Sequence, residues 1–505
     1  MKHLRRIDIL ILIVFICACN PKKEGAEDRL GILTLIGLAA VTAVNPSSGF
    51  TSARLEVVSE IQFPFYAPYS LAVDSSDNVY VSESADYTDT FGLYLYNYNR
   101  YPADPGNIGN RIRKFDSSGN YLGWIGMGGN DGTSRFHGAN EPDVVLNGIE
   151  PGRFQKIRGM KFDSEGTLYV IDQNRIHRFA PNTQTFSGWA GHTCKTAACQ
   201  NAQTLYTQKI AQENQITVDC EASLDWTKTD DQIEADLQNC LDASNMSTVN
   251  NERAAARDGI IANVSSGWNL NEPFNSWGLY SSTRLDSIDN ASGLAIRNGQ
   301  LWIGYYRHSY DIFYIAGTWG SDVQPSTRIN AFDTNTGGNI GWLGGATRNG
   351  QTQKGFFQAP SLATGTRPLG TSYHTNSPGL FNAPRSLVWH NDLLYVADNT
   401  SDPVVSVFTS QGDLVKSQYH DSGAKPFAIT VAPNGIIFTS NMYTGEIELF
   451  DPNFRKIGGW QAESPSDPNR WYPIAAADFA WDSKGFLYIS TTTKNKVYKM
   501  RLIAE

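Results

Sequence analysis

The sequence predicts an all-β protein, a six-bladed β-propeller with one small helical insertion. Three observations predict it. A four-run pattern recurs through the chain, tight turns join the first two runs of every unit, and one strand-like segment stands unmatched before the first unit. Apolar residues are 41% and charged residues 18% of the 505, so the chain can bury a core and is not disordered over most of its length. Its many glycines and aromatic residues suit short strands and turns. A net charge of −9 leaves no basic footprint for nucleic acid.

The first two runs of each unit are alternating apolar segments around a turn. They read SLAVDSSDNVYVSES (70–84), GMKFDSEGTLYVIDQ (159–173), GLAIRNGQLWIGY (293–305), SLVWHNDLLYVADN (386–399), FAITVAPNGIIFTSN (427–441) and DFAWDSKGFLYISTT (478–492). The third run is NRIRKF (110–115), NRIHRF (174–179), TRINAF (327–332), PVVSVF (403–408), GEIELF (445–450) and NKVYKM (495–500). The fourth carries Gly-Trp in most units: YLGWIG (121–126), TFSGWAG (185–191), NIGWLGG (339–345), DLVKSQY (413–419) and RKIGGWQ (455–461). The sixth unit lacks a fourth run, and ARLEVVSEIQF (53–63) lacks a unit. The expectation is that 53–63 closes the ring as the outer strand of the last blade, which removes an exposed edge.

These residues resemble a known family. P-x-S-L-A-V-D…N-V-Y-V followed by N-R-I-R-K-F is similar to the NHL repeat, as is GLFNAPRSLVW…LLYVADN in the fourth unit. The resemblance covers about 55–190 and 287–503, with units three, five and six departing most. It implies the propeller fold. It leaves function open, because NHL-type propellers include lyases, hydrolases and binding modules.

The N-terminus reads MKHLRRIDILILIVFICACNPKK, with a basic start and an apolar run, Ile9 to Ile16, too short to span a bilayer. Its end, Ile16-Cys17-Ala18-Cys19, resembles a bacterial lipobox. That resemblance implies a signal peptide over 1–18, acylation of Cys19, and a tether over 19–52 ahead of a propeller over 53–505. The expected location is the cell envelope, anchored to a membrane by lipid and either periplasmic or surface-exposed. The apolar stretch 30–44 is short for a span.

In a propeller, the connection between strands two and three shares one face with the connection between blades. All six long insertions fall on that face: 85–109, 127–151, 192–286, 305–326, 346–379 and 462–471. Long loops carry function disproportionately, so this face is expected to bind and the opposite face to be bare. Two insertions hold recognition-type residues: Tyr87, Tyr94, Tyr96, Tyr98 and Arg100 in the first, and Tyr306, Arg307, Tyr310 and Trp319 in the other. They could grip a protein or a glycan, or pack down on the propeller. Within 192–286, DDQIEADLQNCLDASN and NNERAAARDGIIANV have helical periodicity and predict a cap over the same face. Cys194, Cys199, Cys220 and Cys240 all lie there, predicting two disulfides of undetermined connectivity that staple it.

Catalytic signals are sparse. Metal-dependent propeller lactonases use carboxylates and Asn at the channel mouth. Glu83, Asp172, Asp398 and Asn441 follow strand two on the insertion face, a weak oxygen-donor set for calcium. The mature chain's His137, His177, His192, His308, His374, His390 and His420 recur at no single blade position, and neither H-E-x-x-H nor G-x-S-x-G is present. Counting back along strand one places Tyr69, Arg158, Ser292, Arg385, Phe427 and Ala477 around the mouth. There Arg158 and Arg385 suit an anion, or could pair with Asp or carbonyl groups nearby. The expected function is that of a monomeric, lipid-anchored binding protein for a protein or glycan, without a resident cofactor. The alternative is a propeller hydrolase or lyase with its site at the mouth.

Overall fold

A computed structural model describes the chain from Phe50 onward except for 84–109, 149, 173–174, 192–194, 264–266, 271–290, 306–311, 316–317, 322–327, 349–350, 359–366, 370–379, 382–383, 399–403, 420–425, 442–444, 462–475 and 493. The repeating D-x5-Y of the sequence organises one face. Asp74 Oδ1 accepts from the Ser76 and Asn78 N–H groups at 2.9 Å each, and its Oδ2 accepts from the Tyr80 hydroxyl at 2.9 Å. Asp482 repeats this with Lys484 N (3.0 Å), Phe486 N (2.8 Å) and the Tyr488 hydroxyl (3.4 Å). Asp163 caps its turn likewise, through Glu165 N at 2.9 Å and Thr167 N at 2.8 Å. A short side chain bonding the backbone two and four residues on makes a closed turn.

Those turns join antiparallel strands into six sheets. Blade one runs Pro68–Val73, Val79–Glu83, Arg111–Phe115 and Tyr121–Met127. Blade two runs Ile157–Phe162, Leu168–Asp172, Arg175–Phe179 and Phe186–Ala190, and blade three Ala291–Arg297, Gln300–Tyr305, Ile329–Asp333 and Asn339–Arg348. Blade four runs Pro384–His390, Leu393–Asp398, Val404–Thr409 and Leu414–Tyr419, and blade five Pro426–Val431, Ile437–Asn441, Glu446–Phe450 and Lys456–Gln461. The first strand of each blade neighbours the first strand of the next in a closed cycle. The core lies between blades, as in the cluster of Tyr80, Ile112, Ile125, Phe154, Met160 and Val170 between blades one and two.

The sixth sheet takes strands from both ends of the propeller: Asp478–Trp481, Phe486–Thr491, Lys496–Ala504 and, outermost, Ala53–Glu60. Ala53 faces Ala504 and Leu55 faces Leu502 in antiparallel register. Alternation buries Ala53 and Leu55 while Val57 and Val58 stay exposed. The strand stops at Glu60, short of the expected residue 63. Ile61 and Phe65 then enter the cluster between blades six and one, beside Phe115 and Tyr488.

Three blades gain a fifth strand that the repeat does not predict: Ser134–Gly138 on blade one, Trp268–Asn269 on blade two and Gln351–Gln358 on blade three. In blades one and three the Gly-Trp pair accommodates it, whereas blade five carries Gly459-Trp460 in a four-stranded sheet. Gly123 has φ +143°, and a Cβ there would lie 2.0 Å from the His137 carbonyl oxygen; at Gly341 (φ +157°) it would lie 2.4 Å from that of Phe357. Glycine thus admits the extra backbone. The following tryptophan covers it, Trp124 stacking on His137 at 4.1 Å and Trp342 on Phe357 at 4.4 Å. Blade four has DLVKSQY without Gly-Trp, and its sheet has four strands. Gly123→Ala is expected to cost about 2–4 kcal/mol in chemical denaturation, from left-handed backbone strain plus displacement of the fifth strand. Gly138→Ala, with nothing nearer than a side-chain oxygen at 3.8 Å, should stay within about 0.5 kcal/mol of wild type.

The insertion after blade two folds as three helices, Ala197–Ala222, Asp230–Ala243 and Met246–Asn263. The sequence predicts the last two. Cys220 and Cys240 form a disulfide (Cα–Cα 5.7 Å) that clips the first helix to the second. Cys199 is buried against Ile260, and Cys194 lies outside the described residues. The insertion leaves from the fourth strand and returns as the fifth, so both of its described attachments are at the rim of the blade.

Candidate binding site at the channel mouth

The inner strands do not pair regularly at the end facing the insertions. Register shifts occur between Pro68 and Leu71, Ile157 and Gly159, Ala291 and Gly293, Pro384 and Ser386, and Pro426 and Ile429. A bulge re-aims the side chain it carries. Within the shifts stand Tyr69, Arg158, Ser292, Arg385 and Phe427, and all five line one cavity together with Ala477, Asp478 and Lys161. The strand-two residues replace the lost ladder bonds. The Ser82 hydroxyl accepts from Ser70 N at 2.8 Å, and that of Ser440 accepts from Ala428 N at 2.9 Å. The Ser490 hydroxyl accepts from Asp478 N at 3.2 Å and donates to the Tyr69 carbonyl at 2.6 Å. The penultimate serine of strand two in V-Y-V-S-E and F-T-S-N is thus a bulge support, and in Y-I-S-T it holds the start of an inner strand that pairs without a register shift.

Arg158 and Arg385 are both buried. The Arg385 guanidinium lies 5.2 Å from the centre of the Phe427 ring, and Tyr69 meets the same ring edge-on at 6.3 Å. Burial pushes the Tyr69 pKa up, with the Arg385 and Arg158 charges pulling the other way, so the phenol stays a hydrogen-bond donor. Asp478 is the one acidic residue among the described lining residues. Its Oδ2 accepts from the Ser70 hydroxyl at 2.8 Å and from Leu71 N at 3.0 Å. Its Oδ1 accepts from Phe479 N at 2.8 Å and lies 4.0 Å from Lys161 Nζ. The cavity volume is about 50 Å³, against roughly 10–15 Å³ for one water. It suits a few waters or one small polar group. Histidine and cysteine are absent from its described lining, as is every described residue of 192–286.

The carboxylates considered as calcium donors have other work. Glu83 Oε1 accepts from Tyr66 N at 3.0 Å, and its Oε2 faces Arg113 Nε at 2.9 Å and Arg111 Nε at 3.4 Å. Asp172 accepts from Gln155 N at 2.8 Å, from Lys156 N, and from Arg175 at 3.0 and 2.8 Å. Each ties the chain entering its blade to the arginines of strand three, which accounts for N-R-I in these blades. Asp398 and Asn441, both buried, end the second strands of blades four and five, and neither lines the cavity.

One further group could hold an ion. Asp131, His137 and Glu141 bring ligand atoms within 4.8 Å of one another beside the fifth strand of blade one. Arg135 already bridges it, 2.9 Å from Asp131 and 2.8 Å from Glu141. Backbone and hydroxyl donors of Thr133 hold Asp131 at a pKa of about 2, and Arg135 with the Gly138 N–H holds Glu141 at about 2. A cation would have to displace the guanidinium, so the group reads as a bracket for the fifth strand.

Cys19, Tyr87, Tyr94, Tyr96, Tyr98, Arg100, Tyr306, Arg307 and Tyr310 lie outside the described residues. Trp319 lies in a two-stranded hairpin, Ile312–Ile315 with Thr318–Ser321. Sequence reasoning missed Lys161 and Asp478. The signal was there: each breaks the apolar character of an inner strand, in GMKF and DFAW.

No protein-family profile matches the chain, and no curated protein matches it. Solved structures do match. A virginiamycin B lyase from Staphylococcus aureus is 12% identical with a TM-score of 0.36, over 89% of this chain and 100% of that one. A gluconolactonase from Xanthomonas campestris is 10% identical with a TM-score of 0.39, over 89% and 90%. Raptor from Chaetomium thermophilum is 10% identical with a TM-score of 0.41, over 92% of this chain and 30% of that one. These likenesses assign no activity to the chain.

Proposed function

We propose that the chain is an exported binding propeller of the NHL-repeat type, anchored to a membrane through lipid on Cys19, that receives a protein or glycan on the face bearing the insertions. One observation carries this reading: Tyr69, Arg158, Ser292, Arg385 and Phe427, each standing in an inner-strand bulge, line a single cavity. Bulges at corresponding places in successive blades bring polar and aromatic groups to one point, as a ligand site requires. The sequences of the insertions add aromatic and arginine residues suited to recognition.

The experiment combines metabolic palmitate labelling with recovery of bound partners from envelope extracts. Label is expected on the wild type and not on Cys19→Ser. A specific partner is expected with the wild type and lost on deletion of 85–109 or 305–326. Unchanged recovery after both deletions would sink the binding-face reading, and label retained by Cys19→Ser would sink the anchor.

A further inference from the structure

We propose that the channel mouth is a carboxylate site, in which Arg158 and Arg385 grip one planar carboxylate while the Tyr69 hydroxyl supplies a further donor. This inference rests on the reading of the mouth as the receiving site, and it names the chemical class received: an organic acid, or the acidic end-group of a larger ligand.

Charge is the first argument. The charged residues of the described lining are Arg158, Lys161, Arg385 and Asp478, three cations against one anion. The oxygens of Asp478 are engaged by Ser70, Leu71 and Phe479, with Lys161 alongside. Among the described residues, cationic side chains therefore outnumber anionic ones around the cavity.

Burial is the second. Arg158 is 9% and Arg385 6% exposed, so an anion placed between them would bond charged donors in a desolvated setting, where such bonds are strong.

Shape is the third. A cavity of about 50 Å³ takes a carboxylate group and little more. The guanidinium fork matches the planar, two-oxygen geometry of a carboxylate better than a tetrahedral anion. Phe427, packed against both Arg385 and Tyr69, offers an apolar wall for the carbon next to the carboxylate.

The test is calorimetric titration of the full-length, detergent-solubilised chain at pH 7.5 and constant ionic strength, with acetate, benzoate, inorganic phosphate and acetamide as probes. Acetate and benzoate are expected to saturate in the millimolar range, while acetamide, the neutral analogue, produces no binding heat. Arg158→Gln and Arg385→Gln should each weaken carboxylate binding at least tenfold. Tyr69→Phe keeps the ring packing and tests the site should an arginine variant fail to fold; a several-fold loss is expected. Absence of carboxylate binding would overturn the proposal, as would affinity unaltered by all three substitutions. Phosphate bound more tightly than acetate would overturn the carboxylate assignment. Partner recovery that still depends on the insertions, without carboxylate binding, defeats this inference alone. Carboxylate binding without insertion-dependent recovery defeats the parent reading instead.

Discussion

Asp172→Ala is expected to destabilise the protein by about 3–5 kcal/mol in chemical denaturation at pH 7.5, a large share of the roughly 5–15 kcal/mol that holds a typical domain. The side chain is fully buried. Its loss strands the buried Arg175 guanidinium and removes the acceptor for two backbone N–H groups, those of Gln155 and Lys156. Arg158 follows Lys156 by two residues, so the damage should reach the mouth, and the variant should lose carboxylate binding together with stability.

The same cluster predicts acid sensitivity. Burial and the neighbouring Arg175 charge, partly offset by Asp172, pull the His177 pKa down from 6.5 to about 4. In the window between those values the unfolded chain binds a proton that the folded chain refuses. Stability is therefore lost as pH falls from 6.5 towards 4, on the order of 3 kcal/mol from this group. Burial raises the Asp172 pKa, but Arg175, His177 and the Lys156 N–H lower it by more, to well below the usual carboxylate range. Its contribution is present above the unfolded value near 3.8 and is lost only in stronger acid. His177 is surrounded by Phe154, Phe179 and Phe186, so His177→Phe should flatten the limb between pH 6.5 and 4. Equal slopes for the two proteins there would refute the assignment.

Removal of residues 51–60 is expected to cost about 5 kcal/mol or more, from a ladder of backbone bonds and the burial of Ala53 and Leu55. For a domain of this size that corresponds to a fall in Tm of about 5 °C or more. The strand also seats against blade five, where a Cβ on Gly458 would lie 1.7 Å from the Ala53 carbonyl oxygen. Without it, Lys496–Ala504 becomes a bare edge, and the variant should associate through it. An unchanged Tm together with a monomeric elution profile would show the strand to be peripheral.

What the sequence made legible follows from the range of the forces involved. Asp74, Asp163 and Asp482 act on residues two and four positions away, so turn, strand and blade count could be read from short stretches. The fifth strands are long-range events, and Ser134–Gly138 is too short and too polar to announce itself; only Gly123-Trp124 marks where it docks. The helix Ala197–Ala222 escaped because its packed stripe mixes small and charged residues. Cys199, Ala202 and Tyr206 are followed by Lys209 and Glu213, which pair with Glu252 and Arg253 of Met246–Asn263. At the mouth, counting register placed Arg158 and Arg385. The bulges that turn them inward set two residues against one across a sheet, which no local pattern reveals.

The most direct measurement is a crystal structure of the protein grown in sodium acetate, with a bromide-grown crystal beside it. A planar ligand bridging Arg158 and Arg385 within hydrogen-bond distance, with bromide at the same point in the second crystal, is the predicted result. Water alone at the mouth in both crystals would contradict it.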